Sequence, residues 1–400
     1  MIKPGPVFTP PQTPAARCLH LVRLNPIITR SELVEATGLS QPTITRATAA
    51  LLEAGLVQER TDLTRTRGRG RPTVPLEVAD SKWILAGIAI GTSRTHIALF
   101  DTMGRTLRED DIATPVARLS ESDFIEHIMA GVNRLTTGIS RTLVSVGVTT
   151  SGNVDEDGLV WASNLGWEGV DIAERLRYQF NVPVVVSSAI PAILGSETQS
   201  AELDKQENVL VLFADDSTGA ALSTEEGVTQ LVPLPTISSE LLNLKDAASE
   251  DNVSTQAVLD ALAVDDIQVN TLAEAAEVAE DNETARSILD ERARLLASIA
   301  ADLVVEHNPV TVVLAGSAFI DDPRAAKLFA SHIREFIAER RDGADIHALQ
   351  LRLIPTHQEI VRAIARAVAL DPLLRVPLSL QPSSPPAEAP TPRRRASLRG

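Results

Sequence analysis

Arg65, Arg67, Arg69 and Arg71 alternate with threonine and glycine in RTRGRGRP (65–72). Guanidinium groups on so flexible a backbone suit the narrow minor groove of DNA, where the potential is most negative. Upstream, Ser40, Gln41, Thr43, Thr45 and Arg46 stand at the start of a helical pattern. Short polar side chains at a helix N-terminus reach base edges in the major groove, Gln41 suiting adenine and Arg46 guanine or a phosphate. A second polar group lies further on: Asn164, Ser187, Ser188 and the pair Asp215-Asp216. Together these predict a polar, negative pocket that suits a neutral or amine-bearing metabolite. Adjacent carboxylates would repel a polyphosphate by about 1 kcal/mol or more per close pair.

The elements that must position these residues follow from spacing. Between Ala15 and Val78 the pattern is three helices and two short strands. Thr29 with Glu32 three residues on has capping-box spacing, and Gly38 is a natural C-terminal stop. Ser40 caps the third helix, with Pro42 tolerated in its first turn and Ile44, Ala47 and Leu51 on one face. LVQER (56–60) and PTVPLEV (72–78) flank the arginine loop. Helix, turn, helix with a polar outer face, then an arginine-rich hairpin describes a winged helix-turn-helix. The bland reading is a small helical protein-binding module with a solvated basic loop.

From Trp83 onward short β-branched strands alternate with helices. WILAGIAIG (83–91) and THIALFD (95–101) form a strand–turn–strand arrangement that NVLVLFADDSTGAALSTEEGVT (208–229) repeats. Helical patterns occupy about 254–264, 271–307 and 357–370. The repetition predicts a duplicated α/β body with a cleft between lobes. Residues 1–14, with five prolines, and the Pro/Ser/Arg-rich 371–400 read as a disordered arm and tail.

Charge is unevenly spread. The 400 residues carry net −16, yet residues 1–80 hold 10 basic and 7 acidic groups, and residues 371–400 hold 5 and 2. A slightly basic head on an acidic body points to a dedicated nucleic-acid contact. Cys18 is the single cysteine, which excludes an intramolecular disulfide and a thiolate zinc cluster. No apolar run is long enough for a membrane span, and no signal-peptide core opens the sequence. The expectation is a soluble, cytoplasmic protein.

ITRSELVEATGLSQPTITRATAALLEAGLVQE followed by RGRGRP resembles the DNA-binding head of the repressor branch of the ROK (repressor, ORF, kinase) family. AGIAIGTSRTHIALFDTMGR, TTSGNVDEDGLVWASNLGWEGVDIAERLRYQFNVPVVV and VTVVLAGSAF are similar to its first phosphate loop, its sugar-site stretch and its late adenosine-side strand. The resemblance implies an α/β body of two actin-like, ribonuclease-H-type lobes over 81–370, with a winged helix-turn-helix over 15–80. Lobe 1 would take about 81–190 plus 357–370, and lobe 2 about 191–356.

The same resemblance argues against phosphoryl transfer, which needs a base, a metal-binding carboxylate and phosphate-cradling glycines. Where ROK kinases read Asp-x-Gly-Gly-Thr, this chain reads Ala89-Ile90-Gly91-Thr92-Ser93. Their Asn-Asp-Ala base motif matches Ser187-Ser188-Ala189, and their second phosphate loop falls on Ala214-Asp215-Asp216-Ser217-Thr218-Gly219. Serine has no basicity near neutral pH. The family zinc cluster would fall near TISSELLNLKDAASED (236–251), which has neither Cys nor His. Of the sugar contacts, only Asn164 in ASNLGWEG matches.

The resulting expectation is a sequence-specific regulator on a double-stranded DNA operator, with no catalytic residues, metal or cofactor. DNA contacts fall to Ser40, Gln41, Thr43, Thr45, Arg46, Arg67, Arg69 and Arg71. Asn164, Ser187 and Ser188 would meet an unknown small-molecule effector between the lobes, in a homodimer or tetramer. The rival readings are a divergent sugar kinase with an added head, and a protein-interaction scaffold.

Overall fold

The computed structural model describes residues 7–64, 74–155, 157–200, 208–224, 226–242, 244–247, 253–340 and 349–380. Helices α1 (Pro14–Leu24), α2 (Arg30–Thr37) and α3 (Gln41–Glu53) open the chain, followed by the antiparallel pair β1 (Val57–Glu59) and β2 (Leu76–Val78). Local chemistry fixes the boundaries. Thr29 and Glu32 form a reciprocal capping box, Gly38 ends α2 at φ +66°, and the Ser40 hydroxyl accepts from the Thr43 amide. Leu33, Ile44 and Leu51 are fully buried between the three helices.

The body holds two five-stranded sheets of matching topology. In the first, β3 (Trp83–Ile90), β4 (Arg94–Phe100) and β5 (Thr106–Ala113) form an antiparallel meander. β6 (Thr142–Thr150) and β10 (Val184–Ser188) extend it in parallel. In the second, β11 (Val209–Ala214), β12 (Thr218–Thr224) and β13 (Gly227–Leu231) form the meander, extended in parallel by β16 (Thr311–Ala315) and β17 (Gln350–Leu353). A ribbon of β7 (Asn153–Val154), β8 (Val160–Ala162) and β9 (Trp167–Val170) projects from the first sheet. Helices α4 (Glu121–Thr136), α5 (Ile172–Phe180) and α6 (Ala189–Thr198) complete the first half.

The helix His357–Arg375 closes the chain against the first sheet. Gly87 and Gly147 are register partners on β3 and β6, and this helix lies directly over them. A Cβ on Gly87 would sit 2.2 Å from the Ala365 carbonyl oxygen, and one on Gly147 2.3 Å from that of Val368. Only glycine lets the backbones approach so closely.

Three expectations change. The helical pattern over 271–307 is two helices, Leu272–Val278 and Glu283–His307, because Asn282 caps the second. The arm expected over 1–14 is packed from Val7 onward: Phe8 is buried, and its backbone N–H donates to Asp371 Oδ1 at 2.7 Å. The tail expected from 371 starts later, since the closing helix runs to Arg375 and Leu380 is buried. Residues 1–6 and 381–400 lie outside the described residues.

Candidate DNA interface and interlobe cleft

Helix α3 turns Ile44, Ala47, Thr48 and Leu51 inward and leaves Gln41, Pro42, Thr45, Arg46 and Ala49 exposed. Ser40 and Thr43 are tied into the cap, their hydroxyls 2.9 Å apart. Thr45 donates its hydroxyl to the Gln41 carbonyl at 2.9 Å, which leaves its methyl and lone pairs outward. Of the five positions expected here, Gln41, Thr45 and Arg46 are therefore free to reach bases, and Ser40 and Thr43 set the helix start.

Arg30 braces this helix, donating from Nε to Thr48 Oγ1 at 3.1 Å and pairing with Glu59 on β1 at 2.7 Å. Arg60 pairs with Asp62 and with Glu77 on β2, both at 2.7 Å. The strands that would carry a wing are thus held by ion pairs. Arg67, Arg69 and Arg71 lie outside the described residues.

The head is joined to the body. Arg23 on α1 donates from Nε to the Thr102 carbonyl at 3.1 Å and from Nη2 to the Met103 carbonyl at 3.2 Å, in the turn after β4. The arm crosses to the second lobe, where a Cβ on Gly227 would lie 3.3 Å from Thr9.

A cleft of about 260 Å³ lies between the lobes. Ser151, Asn153, Trp161 and Asn164 line it from the first lobe, Ser188 and Ile190 from the start of α6, and Asp216, Thr218 and Gln230 from the second. Asn153 Oδ1 accepts from Gln230 Nε2 at 3.1 Å, so one hydrogen bond spans the lobes. Asn164 donates to Ser151 Oγ at 2.9 Å. Asn164 and Ser188 are brought together as expected. Ser187 is not, because successive residues of β10 alternate in direction; it is buried and donates to the Ser188 carbonyl at 3.0 Å.

The acidic pair also divides. Asp215 turns away from the cleft: its carboxylate accepts from Ser317 Oγ at 2.7 Å, and its carbonyl accepts from the buried Arg292 at 3.1 Å. Burial raises its carboxyl pKa above the ordinary value, with the Ser317 bond opposing. Asp216 alone is left exposed at the cleft. The expected negative environment is thus halved. Trp161 is a cleft residue that the sequence reading passed over. Alternation in β8, with Val160 and Ala162 buried, was the available signal. Its indole N–H donates to Asp155 Oδ2 at 2.9 Å and its ring rests over Gly169, so it is held rigidly.

A profile of the ROK family matches residues 85–227, and one described as winged helix-turn-helix DNA-binding matches 19–58. Transcriptional regulator Rv0485 of Mycobacterium tuberculosis is 32% identical over 336 residues, covering 78% of this chain and 76% of that protein. The chain belongs to the ROK family. A xylose repressor of Caldicellulosiruptor bescii is 21% identical over 88% of this chain and 94% of its own length. The crystal structure of a ROK family transcriptional regulator, a homolog of the E. coli MLC protein, matches with a TM-score of 0.71 at 18% identity. The match covers 90% of this chain and 96% of that one. A ROK family glucokinase from Streptomyces griseus, solved with glucose and AMPPNP, gives 0.55 at 17% identity over 72% of this chain and 99% of that one. At such identities these structures share the fold.

Within the ROK body, the kinase positions carry other residues in packed settings. Ala89 is buried on β3 between register partners His96 and Thr149, where ROK kinases place a carboxylate. Ser188 stands at the base position. No group of His, Cys, Asp and Glu able to hold a metal occurs among the described residues, and no described helix is long and apolar enough to cross a membrane.

Proposed function

We propose that this ROK chain is a sequence-specific transcription regulator. It acts in the cytoplasm on a double-stranded DNA operator, without kinase activity, and a small molecule in the interlobe cleft controls it. The observation that carries the reading is the exposed row Gln41, Thr45 and Arg46 at the N-terminal end of α3, in a winged head on a ROK body. Relatives named regulators and repressors support it. The units are a head over 15–80 and a two-lobed body over 81–370. Arg67, Arg69 and Arg71 supply the wing contacts.

One head reads few base pairs. Two heads on half-sites roughly 34 Å apart give a useful operator, so the regulator works as a homodimer or tetramer. The effector acts by changing the lobe angle across the Asn153–Gln230 contact. The head, tied to lobe 1 by Arg23 and to lobe 2 through the arm, follows that change. A differential affinity of about 1–3 kcal/mol between the two states suffices.

The test is genome-wide capture and sequencing of DNA bound to the protein in its host. Sharp palindromic sites are the expected result. Diffuse or absent enrichment contradicts the reading and favours a protein-binding scaffold.

A further inference from the structure

Helix α6 begins at the cleft with an unusual cap. An N-cap serine normally accepts from the amide two or three residues on. Here the third helical residue is Pro191, which has no amide proton, and the Ser188 hydroxyl makes no bond to the helix. Ser188 is 6% exposed, and together with Ala189 and Ile190 it forms the cleft wall. The first amides of a ten-residue helix, with the positive end of its dipole, therefore face the cleft without a carboxylate to neutralise them.

A second observation comes from the other lobe. Thr218 lines the same cleft, is 4% exposed, and its Oγ1 is buried with no hydrogen-bond partner. Its neighbour Gly219 touches the helix start: a Cβ there would fall 2.2 Å from Ile190 Cδ1. Two hydroxyls from two lobes thus meet at one helix N-terminus. A buried hydroxyl without a partner is costly, and a bound acceptor restores the lost bond.

We propose that the N-terminus of α6 holds a single oxyanion, a phosphate or carboxylate group of the cleft ligand, with the hydroxyls of Ser188 and Thr218 as donors. The proposal rests on the reading of the cleft as the effector site and narrows its ligand to an acidic compound. No Lys, Arg or His lines the cleft among the described residues, so recognition is by amides and hydroxyls, as helix N-termini allow. Asp216, exposed on the same cleft, works against a polyphosphate and limits the site to one group. Neutral or amine-bearing ligands, expected while Asp215 and Asp216 both counted as cleft residues, leave the two hydroxyls unmatched.

Trp161 supplies the readout. It is 50% exposed at the cleft, whereas Trp83 and Trp167 are buried. Intrinsic fluorescence of the full chain is titrated with inorganic phosphate, glucose 6-phosphate, glucuronate and glucose, at ionic strength held constant with sodium chloride. A saturable change with at least one of the three oxyanions is expected. Its affinity should weaken at least tenfold in Ser188→Asp, which returns a carboxylate to the helix end, and severalfold in Thr218→Val. Near-ultraviolet circular dichroism checks that the variants fold, and Ser188→Ala removes the hydroxyl without adding charge. Preference between glucose 6-phosphate and glucuronate separates the two acid classes.

Absence of saturation by every oxyanion, or a response unchanged in Ser188→Asp, overturns the proposal. Saturation by glucose alone overturns it but leaves the effector cleft standing. Oxyanion binding that Ser188→Asp abolishes, with DNA occupancy unmoved, upholds the anion site and removes its regulatory reading.

Discussion

Phe8 and Asp371, 363 positions apart in the chain, are joined by a 2.7 Å hydrogen bond from the Phe8 backbone N–H to the buried carboxylate. Asp371 also pairs with Arg375 at 2.7 Å. The ring of Phe8 fills the space a side chain at Gly195 would need, 2.3 Å from its would-be Cβ. One residue of the arm is thus seated on α6 and on the closing helix together. Truncating Phe8 to Ala should lower stability by about 3 kcal/mol or more, the usual range for a buried phenylalanine. Urea unfolding with an unchanged m-value checks it.

The Asp371 carboxyl gives a pH dependence of defined sign. Burial raises its pKa above the ordinary carboxylate value, against the opposing effects of Arg375 and the Phe8 amide. A raised folded value means the folded state holds the proton more tightly. The group's contribution is therefore greatest at low pH, falls as pH climbs from about 3.9 through the folded value, and is flat above. Wild-type stability relative to Asp371→Asn should decline across that window. Paired urea midpoints between pH 4 and pH 8 check it, and a difference that rises with pH contradicts it.

The contact of the closing helix with the first sheet predicts a second stability effect. Gly147→Ala places a methyl 2.3 Å from the Val368 carbonyl oxygen, with backbone on both sides. Overpacking of this kind costs about 1–3 kcal/mol. Thermal melting should show the loss, and Gly138→Ala is the comparison. Gly138 has open space but φ +75°, so its penalty comes from backbone strain alone.

Catalysis is the property in which this chain should differ from the ROK kinases. A coupled assay with ATP and mixed sugars is expected to give no turnover for the wild-type protein. It should also give none for Ser188→Asp, because Ala89 leaves the metal carboxylate missing. Turnover in wild type would contradict the proposed loss of kinase activity.

The head was legible because its determinants are local. Thr29 with Glu32, Gly38 and Ser40 specify caps within a few residues, and the buried row Ile44, Ala47 and Leu51 repeats at helical spacing. The duplicated meanders were legible for the same reason. The arm was not, since a proline-rich segment has no periodicity and Phe8 is anchored by Asp371 and Gly195 from far along the chain. Within the cleft, Asn164 and Ser188 were readable from the family resemblance. Strand alternation, a signal present in the sequence, separates Ser187 from Ser188 and turns Trp161 outward. The division of Asp215 from Asp216 was not readable, because it depends on Ser317 and Arg292.

The most direct test of the central claim is the affinity of the purified protein for a site recovered by genome-wide capture, compared with random DNA of equal length. Gln41→Ala with Arg46→Ala should weaken binding to the site by about 1–3 kcal/mol per base contact and leave random-sequence binding little changed. Equal losses on both DNAs would contradict base reading by α3, and no loss on either would remove the head from DNA recognition.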